Sequence, residues 1–155
     1  MTIKEQLENH AAECRSAFTK GDPKPRLPDD LLLNMEHADL QDADLRHANL
    51  PEANLRHANL RHAKLRSVNL RYADLRNADL YRADLEWGVL WNANLEHADL
   101  HKANLRGTCL LSANLRNANL RNANLWCADL RCAELEHADL QDADLRHVKW
   151  LVATS

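Results

Sequence analysis

Nine histidines, four cysteines and 23 carboxylates could ligate a metal or move protons, and their spacing argues against both. His37, His57, His97 and His137 stand at multiples of twenty residues from one another, with Asn77 and Asn117 in the places between. A metal ion needs three or four converging donors, and a straight column does not converge. The column reads as solvated corner residues. His37 and His57 should stack on neighbouring turns, and repulsion between their charged rings would weaken the fold in mild acid. Cys14, Cys109, Cys127 and Cys132 form no CxxC pair and match no zinc spacing, so free thiols are expected. Ser16, Ser67, Ser112 and Ser155 lie outside any GxSxG context, and three glycines make no phosphate-cradling loop. The carboxylates are spread along the chain rather than paired in a pocket. The expectation is therefore no enzyme, no cofactor and no metal.

The chemistry that remains is recognition. At an offset of twenty residues, Asn69, Val89 and Cys109 form one column, and Arg71, Trp91, Leu111 and Arg131 form the next. Tyr72 and Trp87 border them. Tyr72, Trp87, Val89, Trp91, Cys109 and Leu111 make an apolar, aromatic patch between two arginines, the composition typical of protein-binding anchors. Trp126 lies elsewhere and reads as a lone surface aromatic.

These columns presuppose a repeat. Leucine occupies every fifth position from Leu40 to Leu145, 22 in succession, with Met35 before and Trp150 after. Two places before each slot, from 38 to 148, stands alanine in 19 of 23 cases; one place before, Asn or Asp in 18 of 23. The unit is Ala-(Asn/Asp)-Leu-x-x. On an α-helix each step of five advances by ~140°, which scatters the leucines around the circumference. On a flat strand an odd period sends successive leucines to opposite faces. All the leucines stay inside only if the chain bends at each unit, in one sense, around an axis. The number of sides follows from the exceptions: Val68, Gly88, Thr108 and Val148 replace alanine and share one class modulo twenty. Four units, twenty residues, then make one coil. Glu36–His47 and Glu136–His147 are identical, an offset of five whole coils.

With its A(D/N)LXX motif, the chain resembles the pentapeptide-repeat family over about residues 33–152. The resemblance implies an all-β solenoid, a right-handed quadrilateral β-helix of about six coils, with Leu and Ala inward and the other three residues outward or at corners. Small Ala beside large Leu lets four sides converge without overpacking. The resemblance also implies a bacterial, non-enzymatic interaction scaffold. Some members imitate duplex DNA and protect type II topoisomerases such as gyrase; these carry a strongly acidic face, often Phe in the slot, and dimerise end to end. This chain has Leu in the slot, and Arg46, Arg56, Arg61, Arg66, Arg71 and Arg76 crowd its early coils. The scaffold reading leads, and the DNA-mimicking gyrase protector is the alternative.

The net charge of −3 predicts no strong attraction to nucleic acid or anionic membrane. No apolar run approaches the ~18 residues that span a bilayer. The opening MTIKEQLENH lacks the features of a secretion signal, which places the protein in the cytoplasm. Thr2 with Glu5 reads as a capping box, and Ile3, Leu7, Ala11, Cys14 and Phe18 make one apolar helical face. Residues 1–21 are thus expected to be a helix stopping at Gly21, covering the first coil or serving as a detachable partner helix. Residues 22–32 form a proline-rich connector, 33–152 the β-helix, and 153–155 a tail. At the other end Trp150, Leu151 and Val152 are expected to support end-on self-association, including a twofold dimer.

Overall fold

The computed structural model describes residues 1–20 and 35–150. Gly21, the connector 22–32, Leu151, Val152, the tail 153–155 and the side chain of Phe18 lie outside the described residues.

The repeat folds as it does because five residues satisfy all five of their backbone donors. In the unit Ala58–His62, the Ala58 N–H donates to Leu55 C=O across the corner (3.1 Å). The Asn59 N–H donates to Ala38 C=O in the coil before (2.9 Å), while the Leu60 and His62 N–H groups donate to Asp79 and Tyr81 C=O in the coil after (2.7 and 2.9 Å). The fifth, Arg61 N–H, donates to the side-chain Oδ1 of Asn59 (3.2 Å). This last bond explains the Asn/Asp position: a side chain two residues back closes the one donor that the ladder misses. Nineteen parallel bridges, each at an offset of twenty, tie Asp39–Asp129 to Asn59–Lys149. They fall on four sides, so the rod is a four-sided β-helix.

Every corner bends through a residue in the left-handed region. The second x residue has φ between 54° and 64° in 22 non-glycine cases, and 62° at Gly107. The first has no positive φ, and the Ala N–H bonds back to the slot C=O, which is the signature of a type II turn. Pro51 occupies the first x, where its fixed φ suits this turn. Bulky Tyr72, Arg82 and Trp87 accept a conformation that disfavours a Cβ, held there by the ladder on both flanks.

Inside, the slot leucines from Leu40 to Leu125 and their alanines are buried. The side that lacks alanine compensates in volume. A Cβ on Gly88 would lie 2.9 Å from Leu85 C=O, and Val68 fills the space one coil below. Thr108, fully buried one coil above, donates its hydroxyl to the same carbonyl (3.0 Å), so its polar group costs little. Farther on, Leu135, Leu140, Leu145 and Val148 are partly exposed.

One helix, α1 (Ile3–Lys20), precedes the coils. Thr2 and Glu5 form the reciprocal bonds of a capping box, 2.8 and 3.2 Å. Leu7, Ala11 and Cys14 are buried in the core. The polar residues of α1 meet the edge of the first coil. Glu8 accepts from Asp44 N–H (3.0 Å), Lys4 donates to Gln41 C=O (2.5 Å), and Arg15 donates to Arg46 C=O (3.1 Å). His10 Nε2 lies 3.1 Å from Asn49 C=O and 3.3 Å from its N–H, with the Cys14 thiol at 3.4 Å.

Burial pushes the His10 pKa below its ordinary value, against the opposing pull of Asn49 C=O and Glu13. Its stabilising contribution is therefore present above the ordinary histidine value of about 6.5 and falls away as pH drops below it. The melting temperature should fall between pH 7.5 and 5.5, and His10→Gln should flatten that slope; an unchanged slope in the variant would refute the assignment. At the corner, Lys102 is exposed with φ 60°. Lys102→Gly relieves the left-handed strain and loses some backbone entropy, so urea denaturation should show it neutral to about 1 kcal/mol more stable.

Candidate functional site

One side of the rod, spanning residues 68–112, departs from the rest. Its outward ladder residues are Asn69, Val89 and Cys109, bridged in succession. Corner residues flank them. Trp87 packs against Gly107 one coil on: a Cβ there would sit 2.3 Å from the indole. Gly107 thus makes room for the ring, and half of Trp87 stays exposed (50 %). On the opposite corner Tyr72 and Trp91 pack at 5.6 Å with an angle of 46° between rings. Tyr72 is 53 % exposed, whereas Val89, Trp91, Cys109 and Leu111 are half-buried. The structure therefore brings the six patch residues onto one side and its two corners. Two platforms, Trp87 and Tyr72/Trp91, stand on either side of a Val89/Cys109 floor.

The electrostatics of this side are nearly self-compensated. Glu86, 9 % exposed, is held between Arg66 (2.7 Å) and Arg106 (3.6 Å) of the coils on either side. Arg131 grips Asp129 through two bonds of 2.8 and 2.7 Å, which holds the Asp129 carboxyl below the usual range. The same Asp-x-Arg clasp recurs elsewhere. Arg46 and Arg146 lower Asp44 and Asp144 to about 2, and Arg76 lowers Asp74. Arg71 differs: its Nε reaches only Asn69 Oδ1, at 3.3 Å, and no described carboxylate pairs with it.

Two features were missed from sequence. Trp126 is not isolated, because the Arg106 guanidinium covers its ring at 4.4 Å and His147 meets it edge-on at 5.8 Å. Arg106 shares the twenty-residue column of Trp126 and His147 stands one place off it, but whether either side chain reaches the ring is set by its rotamer. The same columns place Arg61 over Tyr81 (4.5 Å) and His101 stacked on it (5.6 Å, 11°). His37 and His57 stack at 4.8 Å. Among the described residues no three His, Cys, Asp or Glu side chains are grouped to hold a metal ion. At the far end Trp150 is exposed; Leu151 and Val152 lie outside the described residues.

The pentapeptide-repeat profile matches residues 38–77, 78–110 and 112–149, with eight copies. The chain belongs to the pentapeptide-repeat family. Among solved members, a pentapeptide-repeat protein (Rfr23) from the cyanobacterium Cyanothece 51142 is 33% identical, with a TM-score of 0.53, over 68% of this chain and 61% of that one. HetL, a pentapeptide-repeat protein involved in heterocyst differentiation regulation from the cyanobacterium Nostoc sp. strain PCC 7120, is 36% identical, with a TM-score of 0.54, over 76% of this chain and 58% of its own. This chain therefore spans about three fifths of the length of either relative. QnrB1, a plasmid-mediated fluoroquinolone resistance protein, shares the fold at 18% identity and a TM-score of 0.50. No curated protein matches the sequence. The pentapeptide-repeat neighbours make the coil a right-handed quadrilateral β-helix, and proteins of this family are generally non-enzymatic structural or interaction modules. No described helix is long and apolar enough to cross a membrane.

The floor of the patch also changes the backbone. Val89 and Cys109 carry no side-chain oxygen for the Trp91 and Leu111 N–H groups. Cys109→Asn restores the bond found in other units and should stabilise the fold by about 1 kcal/mol in urea denaturation. A loss of stability would show that the thiol packs there for another reason.

Proposed function

We propose that this pentapeptide-repeat protein is a non-enzymatic scaffold that binds another protein through Tyr72, Trp87, Val89, Trp91, Cys109 and Leu111. The observation that carries the reading is the pair of aromatic platforms around the Val89/Cys109 floor. In most other units the outward ladder position holds Asn or Asp; here it is apolar on two successive coils. Trp87 and Trp91 are large, rigid surfaces that lose little entropy on binding, and arginines border them. We read α1 as the cover of the first of about six coils. The exposed Trp150, with Leu151 and Val152, is the candidate for a second contact, between copies of the chain.

The alternative, a DNA-mimicking gyrase protector, draws on the fold likeness to QnrB1 and on the column Asp39, Asp79, Asp99 and Asp139 on one side. Against it, Arg61 pairs with Asp79 (2.9 Å) and Arg121 with Asp139 (3.3 Å), which interrupts a continuous acidic face. Gyrase supercoiling with and without a quinolone separates the two readings: protection by this chain would favour the mimic.

Trp91→Asp tests the scaffold. Trp91 lies outside the core, so the β-helix should persist by circular dichroism while proteins recovered with the native chain are lost. Recovery of the same set by both would remove the patch from consideration.

A further inference from the structure

In each of the seventeen units where Asn or Asp precedes the slot and a non-proline follows it, the side chain accepts the N–H of the first x residue, at 3.0–3.3 Å. Asn49 is the exception that proves the need, since Pro51 has no N–H, and Asn49 Oδ1 instead accepts from Asn69 (2.7 Å). Val89 and Cys109 break the pattern on adjacent coils. Among the described residues the N–H groups of Trp91 and Leu111 have no acceptor, although the ladder beneath them is intact: Val89 donates to Val68 C=O and Cys109 to Gly88 C=O, both at 2.9 Å. Arg66, after Lys64, and Glu136, after Glu134, also lack the Asn/Asp acceptor, each singly on another side, and the Glu136 N–H meets its own carboxylate.

Trp91 and Leu111 occupy one column, one coil apart, a spacing of ~4.8 Å. Arg71 precedes them in that column and Arg131 follows. Arg131 is engaged by Asp129, whereas no described carboxylate pairs with Arg71. Two parallel donors beside an uncompensated guanidinium call for an acceptor with two oxygens and a negative charge, and a carboxylate has both. The carboxylate would lie between the two donors, one oxygen toward each N–H.

We propose that the patch recognises an Asp or Glu side chain on an apolar segment of its partner, the carboxylate accepting from the Trp91 and Leu111 N–H groups. Apolar neighbours of that acidic residue rest on Trp87, Val89 and Trp91. The inference rests on the reading of this side as a partner site. It adds the chemical class that the partner must present, and gives a reason for Val89 and Cys109 in place of Asn or Asp: an internal oxygen would occupy the donors and an internal charge would repel the ligand.

The test is an amide NMR titration of the full chain with acetyl-Leu-Asp-Leu-amide, and with acetyl-Leu-Asn-Leu-amide as the neutral control. The aspartate peptide should shift the Trp91 and Leu111 amides saturably, the asparagine peptide several-fold less. The variant Val89→Asn/Cys109→Asn, which supplies both acceptors from within and leaves the ladder bonds in place, should show neither response. Unmoved Trp91 and Leu111 amides, equal responses to the two peptides, or undiminished binding by the double variant would each overturn the proposal. The partner site itself is judged separately. If Trp91→Asp loses the recovered protein and Val89→Asn/Cys109→Asn keeps it, the patch stands and carboxylate recognition falls.

Discussion

The structure depends on one constraint: a chain that turns every five residues must find an acceptor for five N–H groups per turn. The corner takes one, the neighbouring coils take three, and the Asn/Asp side chain takes the last. Remove the neighbouring coils and three of five donors lose their partners, so no isolated coil would be stable. The leucine core then follows from geometry rather than driving it. Four sides linked in this way leave a narrow axial space, which Leu paired with Ala fills without collision. Where Gly88 vacates the space, Val68 and Thr108 return volume from either side.

Much of this was legible in the residues. A leucine at each fifth place admits only a closed, repeatedly bent path, and four alanine exceptions in one class modulo twenty gave the number of sides. The bridges at that offset follow the same register. The patch columns were legible for the same reason, since the offset that aligns Val89 with Cys109 also aligns Arg71 with Trp91. What did not show was anything decided by side-chain reach. Glu86 looks like a surface carboxylate in the sequence and lies almost buried between two arginines. Trp126 looks solitary because its cover, Arg106, comes from the coil before and reaches across. Such contacts depend on rotamers, which a repeat pattern does not specify.

Membership of the pentapeptide-repeat family settles the architecture and leaves the role to the departures from consensus. The two cyanobacterial relatives share about a third of their residues with this chain, over part of their own length. In a repeat this regular, most identity is structural: Leu, Ala and Asn/Asp recur because the coil needs them. Individual function is written in the x positions and in units that abandon the rule. Here the aromatic corners and the two apolar floor residues are the departures on the side proposed as the partner site.

The ladder joins each coil to its two neighbours alone, which makes the rod a linear cooperative system that frays inward from its ends. The aromatic side lies between residues 68 and 112, with coils on both flanks. Amide exchange should be slowest there and fastest in the last described coil, where the slot leucines are partly exposed. The side proposed as the partner site would therefore be the last part of the molecule to lose its shape, and partial melting at either tip would leave it presented as in the intact rod.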